Sequence, residues 1–137
     1  MIKWKWGEEV YFFKRAILLV GDLIENVKSI KEKVKNDSNM LGCADYKISQ
    51  VLRHLGILEY NEELAQIVDS KQQLKHDSEM EIEVRANMLY ALELIKNKLH
   101  QKGIEMNSTQ IDNILWLLSK NKEFKAKPYH LTRTIYY

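Results

Sequence analysis

The chain has 137 residues, a length that fits one domain with a packed core. Its 21 basic and 19 acidic residues leave a net charge of +2, which argues against a broad polyanion-binding surface, although a few cations could hold one phosphate. One cysteine, Cys43, excludes an internal disulfide and argues against a cysteine-rich zinc site. With no signal peptide or bilayer-spanning apolar run evident, we expect a cytoplasmic protein without a membrane segment.

The first part of the chain has the apolar spacing of an amphipathic helix. Apolar residues recur every three or four positions between residues 8 and 35, which predicts one long helix. Its apolar stripe comprises Val10, Phe13, Ile17, Val20, Ile24, Val27, Ile30 and Val34. Its solvated polar face comprises Lys28, Lys31, Glu32 and Lys35. A polar sequence at residues 36–39 predicts a loop after it.

Two short helices are predicted next. The first spans residues 46–54 and ends before Gly56, and the second begins at an Asn61 cap and ends near residue 69. A helix, a glycine turn, an apolar pair and another helix form the outline of a helix-hairpin-helix. The residues expected to face the core are Ile48, Val51, Leu52 and Leu55 in the first helix, and Leu64, Ile67 and Val68 in the second.

Two further helices and an ordered tail complete the predicted all-α fold. One helix is capped by Asp77 or Ser78 and reaches about residue 100 before Gly103, and the other spans residues 109–120. Asn107 or Ser108 caps the last helix, and the aromatic content of residues 125–137 predicts a packed tail. The residues expected to face the core are Ile82, Ala86, Leu89, Leu92, Ile95 and Leu99, then Ile111, Ile114, Leu115 and Leu118.

Four short segments, read in order, carry a resemblance to a known family. They are residues 11–16 (YFFKRA) with Leu18, Val20 and Asp22; residues 44–47 (ADYK) with 50–52 (QVL) and 55–60 (LGILEY); residues 81–86 (EIEVRA); and residues 111–112 (ID) with 115–116 (LW), closing on 128–130 (PYH), Arg133 and 135–137 (IYY). Together they resemble the queuosine salvage proteins, which are queuosine 5'-phosphate N-glycosidases. Their fold is similar to that of the helix-hairpin-helix DNA glycosylases.

The resemblance implies that residues 1–137 form a single helical domain corresponding to the C-terminal part of that family. Family chains are longer, and a helical N-terminal half that supplies part of the substrate pocket precedes the first matching segment. We therefore expect that half to be absent from this chain. Exposed apolar surface is then expected on the first helix and in the region of residues 1–7, where such a half would dock.

Asp45 is the catalytic carboxylate that the resemblance implies. Cleavage of a ribosyl C–N bond builds positive charge on the sugar, and a carboxylate beside the anomeric carbon can stabilise that charge or attack the carbon covalently. Its place between a loop and a helix suits this work. By spacing alone, Asp45 is an N-cap, and the two roles are compatible because a capping carboxylate stays ionised.

Asp112 is implied to bind the queuine base, because one carboxylate can accept two hydrogen bonds from a guanine-like edge. By position alone it is an acid in the first turn of a helix. Trp116 lies four residues on, and its first interpretation is a core residue and its second a pocket wall. Cys43 and Asn113 occupy implied substrate-binding positions but depart from the family pattern. Cys43 is interpreted as a small buried side chain rather than a nucleophile.

Several cations are further substrate-binding candidates. Lys14 and Arg15 match a Lys-Arg pair of the family; one can meet the 5'-phosphate and the other can pair with Asp45 or Glu83, and two ordinary helix cations are an equal alternative. Lys47 stands where the family usually has arginine. His130 and Arg133, in the tail, could close over the pocket or bind phosphate, but packing of the tail onto the domain is the preferred interpretation.

Three functions follow from these residues. The first is hydrolysis of queuosine 5'-phosphate to queuine and ribose 5-phosphate at Asp45, without a metal or other cofactor, for salvage into tRNA modification. The second is a non-catalytic queuine- or nucleotide-binding remnant, or one half of an enzyme whose N-terminal half is another chain. The third is a helix-hairpin-helix nucleic-acid-binding protein. It ranks last, and no direct DNA binding is expected, because the charge is near neutral.

Overall fold

A computed structural model describes residues 10–34 and 40–135 of the chain. The helices are α1 (Lys14–Asn26), α2 (Lys28–Lys33), α3 (Tyr46–His54), α4 (Glu62–Asp69), α5 (Glu79–Gln101) and α6 (Ser108–Leu118), followed by a 3-10 helix (Lys122–Lys125). Extended pairing within the described ranges is an isolated bridge between Gln73 and Leu131. The predicted all-helical class is confirmed. None of these helices is long and apolar enough to cross a membrane.

The prediction of one long first helix is wrong. Residues 10–13 are not helical, and the extended backbone of Val27, with φ −109° and ψ 100°, separates α1 from α2. Phe13 and Val20 of the predicted stripe are exposed. Helices are stabilised mainly by packing of an apolar face, and no apolar residue of α1 or α2 is buried. Residues 8, 9 and 35 of this prediction, and the loop predicted at 36–39, lie outside the described residues.

The predicted helix starts are confirmed by hydrogen bonds at the caps. The side chains of Asn61 and Ser78 accept from the backbone N–H groups three residues on. Asn107 caps α6, and Gln110 completes a reciprocal capping box with it. These short-range contacts depend on neighbouring residue types, which explains why the sequence predicted them well.

The core is formed mainly by α3, α5 and α6. Its fully buried members include Ile48, Val51, Leu52, Met88 and Leu92. A second cluster packs α4 against the start of α5 and consists of Leu64, Val68, Leu74 and Val84.

Two core predictions are wrong, because Leu55 and Ile114 are exposed. Leu55 is the C-cap residue beyond the last turn of α3. Ile114 lies outside the narrow stripe of α6 that Ile111 and Leu115 bury. Burial on these helices is therefore narrower than the periodicity suggested.

The tail predicted over residues 125–137 packs onto the domain in its described part, as predicted, and its contacts are with α3 and with Leu74. The backbone N–H of Leu74 donates to the carbonyl of Leu131 at 2.8 Å, and the side-chain amide of Gln50 donates to the carbonyl of Lys127 at 2.7 Å. His130 is buried, with 2% of its surface exposed. The predicted residues 136–137 at the end of the tail lie outside the described residues.

The turn after α5 requires a left-handed residue. Gly103 has φ 77°, its N–H donates to the carbonyl of His100, and the N–H of Ile104 donates to that of Leu99. This is the Schellman arrangement, in which glycine avoids the strain that a Cβ introduces.

We expect Gly103→Ala to lower the free energy of unfolding by about 1 kcal/mol, because an L-residue is strained at this φ although no atom lies within 4 Å of the added Cβ. Gly21→Ala is the matched control. It lies within α1, where alanine is the better helix former, so it should raise the same quantity by about 0.5–1 kcal/mol. Urea denaturation of the three proteins measures both effects, and equal shifts would contradict the conformational explanation.

Candidate functional site

Asp45 lies at the N-terminus of α3, where two donors fix its carboxylate. One oxygen accepts from the backbone N–H of Lys47 at 2.8 Å, which makes Asp45 the N-cap. The other accepts from the Lys14 ammonium at 2.6 Å, and 9% of the Lys14 side chain and 13% of the Asp45 side chain are exposed. A positive ammonium and a helix N-terminus both favour a negative carboxylate. The site therefore holds a fixed, largely desolvated anion that keeps a small opening to solvent.

Asp112, on α6, binds the segment that precedes Asp45. The backbone N–H of Cys43 donates to one carboxylate oxygen of Asp112 at 2.8 Å. Burial raises the pKa of Asp112 to about 6, an effect that the Cys43 hydrogen bonds oppose and the charge of Asp45 increases. Only 5% of Asp112 is exposed, so in this structure it mainly anchors the Cys43 segment to α6.

Cys43 is a buried thiol beside the two carboxylates. Burial and the adjacent Asp112 raise its pKa to about 12, so it is neutral at physiological pH. The sulfur lies 3.9 Å from the carbonyl of Lys14, at the start of α1. Its surroundings agree with the interpretation of a small buried side chain, since a nucleophile requires the thiolate.

Trp116 occupies the surface between two lysines. Its exposed fraction is 39%, so the first interpretation, a core residue, is wrong. The ammonium of Lys47 lies 5.9 Å from the ring centroid, and that of Lys120 lies 4.0 Å from it. Trp116, four residues after Asp112 on α6, therefore lies on an exposed surface that also carries two lysine ammonium groups. Asn113, the neighbour of Asp112, is also exposed.

The other predicted cations divide by burial. Arg15 is exposed on α1, whereas its neighbour Lys14 is the residue that pairs with Asp45. Arg133 is exposed in the tail. His130 is buried, its Nδ1 lies 3.4 Å from the Ser49 hydroxyl oxygen, and burial lowers its pKa to about 4. His130 is thus a neutral packing residue in this structure. The substrate-binding role of these predicted cations stays a prediction.

Arg85 makes a buried structural pair whose partner the sequence did not identify. Its guanidinium lies 4.1 Å from the Phe12 ring centroid and pairs with Glu81 at 3.4 Å. Glu81 and Arg85 are four residues apart on α5, a spacing that could have indicated this pair. The contact places the segment before Lys14 against α5 and so helps to position the partner of Asp45.

No cluster of His, Cys, Asp or Glu suited to a metal ion occurs in residues 10–34 and 40–135. The described histidines other than His130 make surface or edge contacts: His76 with Asp77, His100 with Glu105 and His54 with the Phe124 ring. The ionisable groups that the structure brings together at the candidate site are the Asp45 and Asp112 carboxyl groups and the Lys14 ammonium.

The arrangement is that of a helical domain with a buried carboxylate–lysine pair at a helix start, and comparison with known proteins identifies its family. The family model described as "Queuosine salvage protein" matches residues 2–137. The chain belongs to the queuosine salvage protein family.

Similar curated proteins are named queuosine 5'-phosphate N-glycosylase/hydrolase. The protein of Sphaerobacter thermophilus is 35% identical over 132 residues, that of Dictyostelium discoideum 33% over 132 residues, and that of Mus musculus 32% over 141 residues. Each alignment covers 96% of this chain but only 41%, 41% and 42% of the respective relative. The chain thus spans about two-fifths of the length of these relatives.

We expect Lys14→Met to lower the free energy of unfolding by about 3 kcal/mol, because it leaves the largely buried Asp45 carboxylate without its ammonium partner. Lys28→Met is the control, since Lys28 is exposed and lies 4.0 Å from Glu32; its effect should stay within about 0.5 kcal/mol. Chemical denaturation compares the two. Equal small effects would show that the Lys14–Asp45 pair contributes little to folding.

Proposed function

We propose that this chain carries the hydrolytic site for the N-glycosidic bond of queuosine 5'-phosphate and that it releases queuine. The observation that carries the proposal is the Asp45 carboxylate, fixed by Lys14 and by the start of α3 in a chain of the queuosine salvage family. The names of the relatives specify this bond and this nucleotide. Release of the base for tRNA modification would take place in the cytoplasm.

In the proposed reaction, the bond between the anomeric carbon and the base nitrogen breaks. The base leaves with the bonding electron pair and gains a proton, and water supplies the hydroxyl that the anomeric carbon gains. Ribose 5-phosphate and queuine are the products. Asp45 faces the sugar and stabilises its developing positive charge, or bonds to the anomeric carbon before water replaces it. Lys14 is a positioning residue, because it holds one carboxylate oxygen of Asp45.

Asp112 is the proposed reader of the base edge. Cys43 occupies part of the acceptor capacity of the Asp112 carboxylate, which has about four lone-pair positions. Because Asp112 is nearly buried, a base must displace neighbouring side chains to reach it. Trp116 lies one turn after Asp112 on α6, and its exposed ring could cover a bound base.

The proposed substrate phosphate lies on the cationic side of the site. The Lys47 side chain is one candidate, because Lys47 follows Asp45 by two residues in the first turn of α3. Lys14, whose ammonium pairs with Asp45, and the exposed Arg15 and Arg133 are the others. We also propose that the fold is like that of the helix-hairpin-helix glycosylases. The succession of α3, the left-handed turn at Gly56 and α4 supports this proposal.

A second candidate function is favoured by the surface of α1. Leu18, Leu19, Val20 and Leu23 are all exposed on this helix. A chain that binds queuine but completes its catalytic site only with a partner would account for such a surface. The residues 1–7 included in the corresponding prediction lie outside the described residues. Activity of the chain alone distinguishes this candidate from the first.

We expect Asp45→Asn to lower the rate of queuine release at least about 100-fold, because asparagine retains the cap but not the negative charge. Purified chain is mixed with queuosine 5'-phosphate, and free queuine is measured by mass spectrometry. Asp77→Asn removes the charge of a surface aspartate and should leave the rate unchanged. Full release by Asp45→Asn with unchanged substrate binding would refute the catalytic role. Queuine binding without release by the unaltered chain would favour the second candidate.

We expect queuine affinity to fall about tenfold per pH unit below pH 6, because a protonated Asp112 cannot accept both hydrogen bonds of the base. The pKa of Asp112 is raised, so the binding form predominates above about 6 and is lost as the pH decreases through that value. Calorimetry between pH 5 and pH 8 measures this dependence. Asp112→Asn should bind queuine weakly at every pH, while ribose 5-phosphate binding changes little. Equal loss of both ligands would indicate misfolding instead.

A further inference from the structure

A cleft beside the site carries several lysines. It lies where the first turns of α3, the turn after α4, the 3-10 helix and the tail meet, and its volume is ≈ 560 Å³. We call it the lysine cleft, and its lining includes Lys47, Gln50, Lys71, Lys125, Tyr129 and Leu131. Among the described residues that line it, none carries a carboxylate. The cleft therefore attracts negative charge.

A local surplus of positive charge lies on this side of the domain. Residues 120–127 hold four lysines and one glutamate, a surplus of three charges, whereas the whole chain has a net charge of +2. Lys120 and Lys125 are both exposed in this segment. Lys71, from the turn after α4, adds a third exposed ammonium from a separate element. The near-neutral net charge of the chain thus conceals a local cationic surface around the lysine cleft.

Flat aromatic surfaces accompany the lysines. Tyr129 lines the cleft with 37% of its surface exposed, and its ring packs on that of Tyr46 at a centroid distance of 4.7 Å. Trp116 is exposed beside Lys47 and Lys120. Single-stranded nucleic acids bind by placing phosphates near cations and stacking bases on such rings. A duplex keeps its base faces stacked internally, so exposed rings favour a single strand.

We propose that the lysine cleft binds a short single-stranded nucleic acid. Lys71 and Lys125 in the cleft, and Lys120 beside its lining residue Ser119, neutralise the phosphates, and a base stacks on the exposed part of the Tyr129 ring. This binding involves the side of α3 that faces the tail and does not require the glycosidic reaction at Asp45. It also differs from hairpin-type recognition, because the Gly56 turn is flanked by the apolar Leu55 and Ile57.

The first test is fluorescence anisotropy with a labelled single-stranded RNA of about ten nucleotides. This length is within the range that single-strand-binding domains generally cover. We expect the triple variant K71Q/K120Q/K125Q to bind at least about tenfold more weakly than the unaltered chain. The plot of log affinity against log salt concentration should also become less steep, by about 2 in the magnitude of its negative slope. The matched control K28Q/K31Q/K33Q removes three exposed lysines of α2 and should change affinity less than about twofold.

Aromatic stacking is tested at Tyr129. Tyr129→Leu retains apolar volume but not the flat ring and should weaken RNA binding about tenfold, whereas Tyr129→Phe should retain it. Thermal melting establishes that each variant is folded. Similar binding by a single-stranded DNA of the same length would support the proposal, because both nucleic acids carry phosphates and bases.

Three results would overturn the proposal. They are the absence of RNA binding at about 50 mM salt, equal losses in the cleft and α2 variants, and equally strong competition by inorganic polyphosphate, which has no bases to stack. None of these measurements depends on queuine release. Failure of the proposed glycosidic function therefore leaves this test unaffected.

Discussion

The hydrogen bond from the Cys43 backbone to Asp112 fixes the segment on which the candidate site depends. It ties the residues before α3 to α6, and Asp45 follows two positions later. Gly42 allows this segment to lie close to α5 and α6, because a Cβ there would lie 2.3 Å from a Leu92 methyl carbon and 3.4 Å from the Ser108 carbonyl oxygen. Lys14 then holds the carboxylate from the opposite side. Three elements distant in the sequence thus determine the position of one functional group.

The parts of the fold that the sequence predicted are those governed by near neighbours. The bounds of α3, the caps at Asn61 and Asn107, and the glycine turn at Gly103 all depend on contacts within a few residues. The break at Val27 was not predictable in this way, because the apolar stripe of α1 gave a helical period but no information on what would cover it. Periodicity indicates a face, whereas burial depends on the tertiary partner.

The residues of the candidate site could be proposed from the sequence, but most of their contacts could not. The family resemblance pointed to Asp45 and Asp112 as site residues, which stays a prediction, and the cap role of Asp45 followed from its position. The choice of Lys14 over Arg15 as ion-pair partner required the direction in which α1 begins. Likewise, Trp116 belongs to the same helix face as Asp112, but only the packing of α6 shows that this ring is open to solvent beside Lys120. Total charge similarly gave no indication of the lysine cleft.

The burial of the Lys14–Asp45 pair has an evolutionary consequence. Replacement of either residue alone leaves its partner as a poorly solvated charge, which is much less favourable than retaining both or replacing both. A lineage that no longer needed the reaction would still be held at position 45 by folding. Loss of the carboxylate at position 45 would require a compensating change at position 14. Persistence of this buried carboxylate is therefore weaker evidence of selection for chemistry than persistence of an exposed one would be.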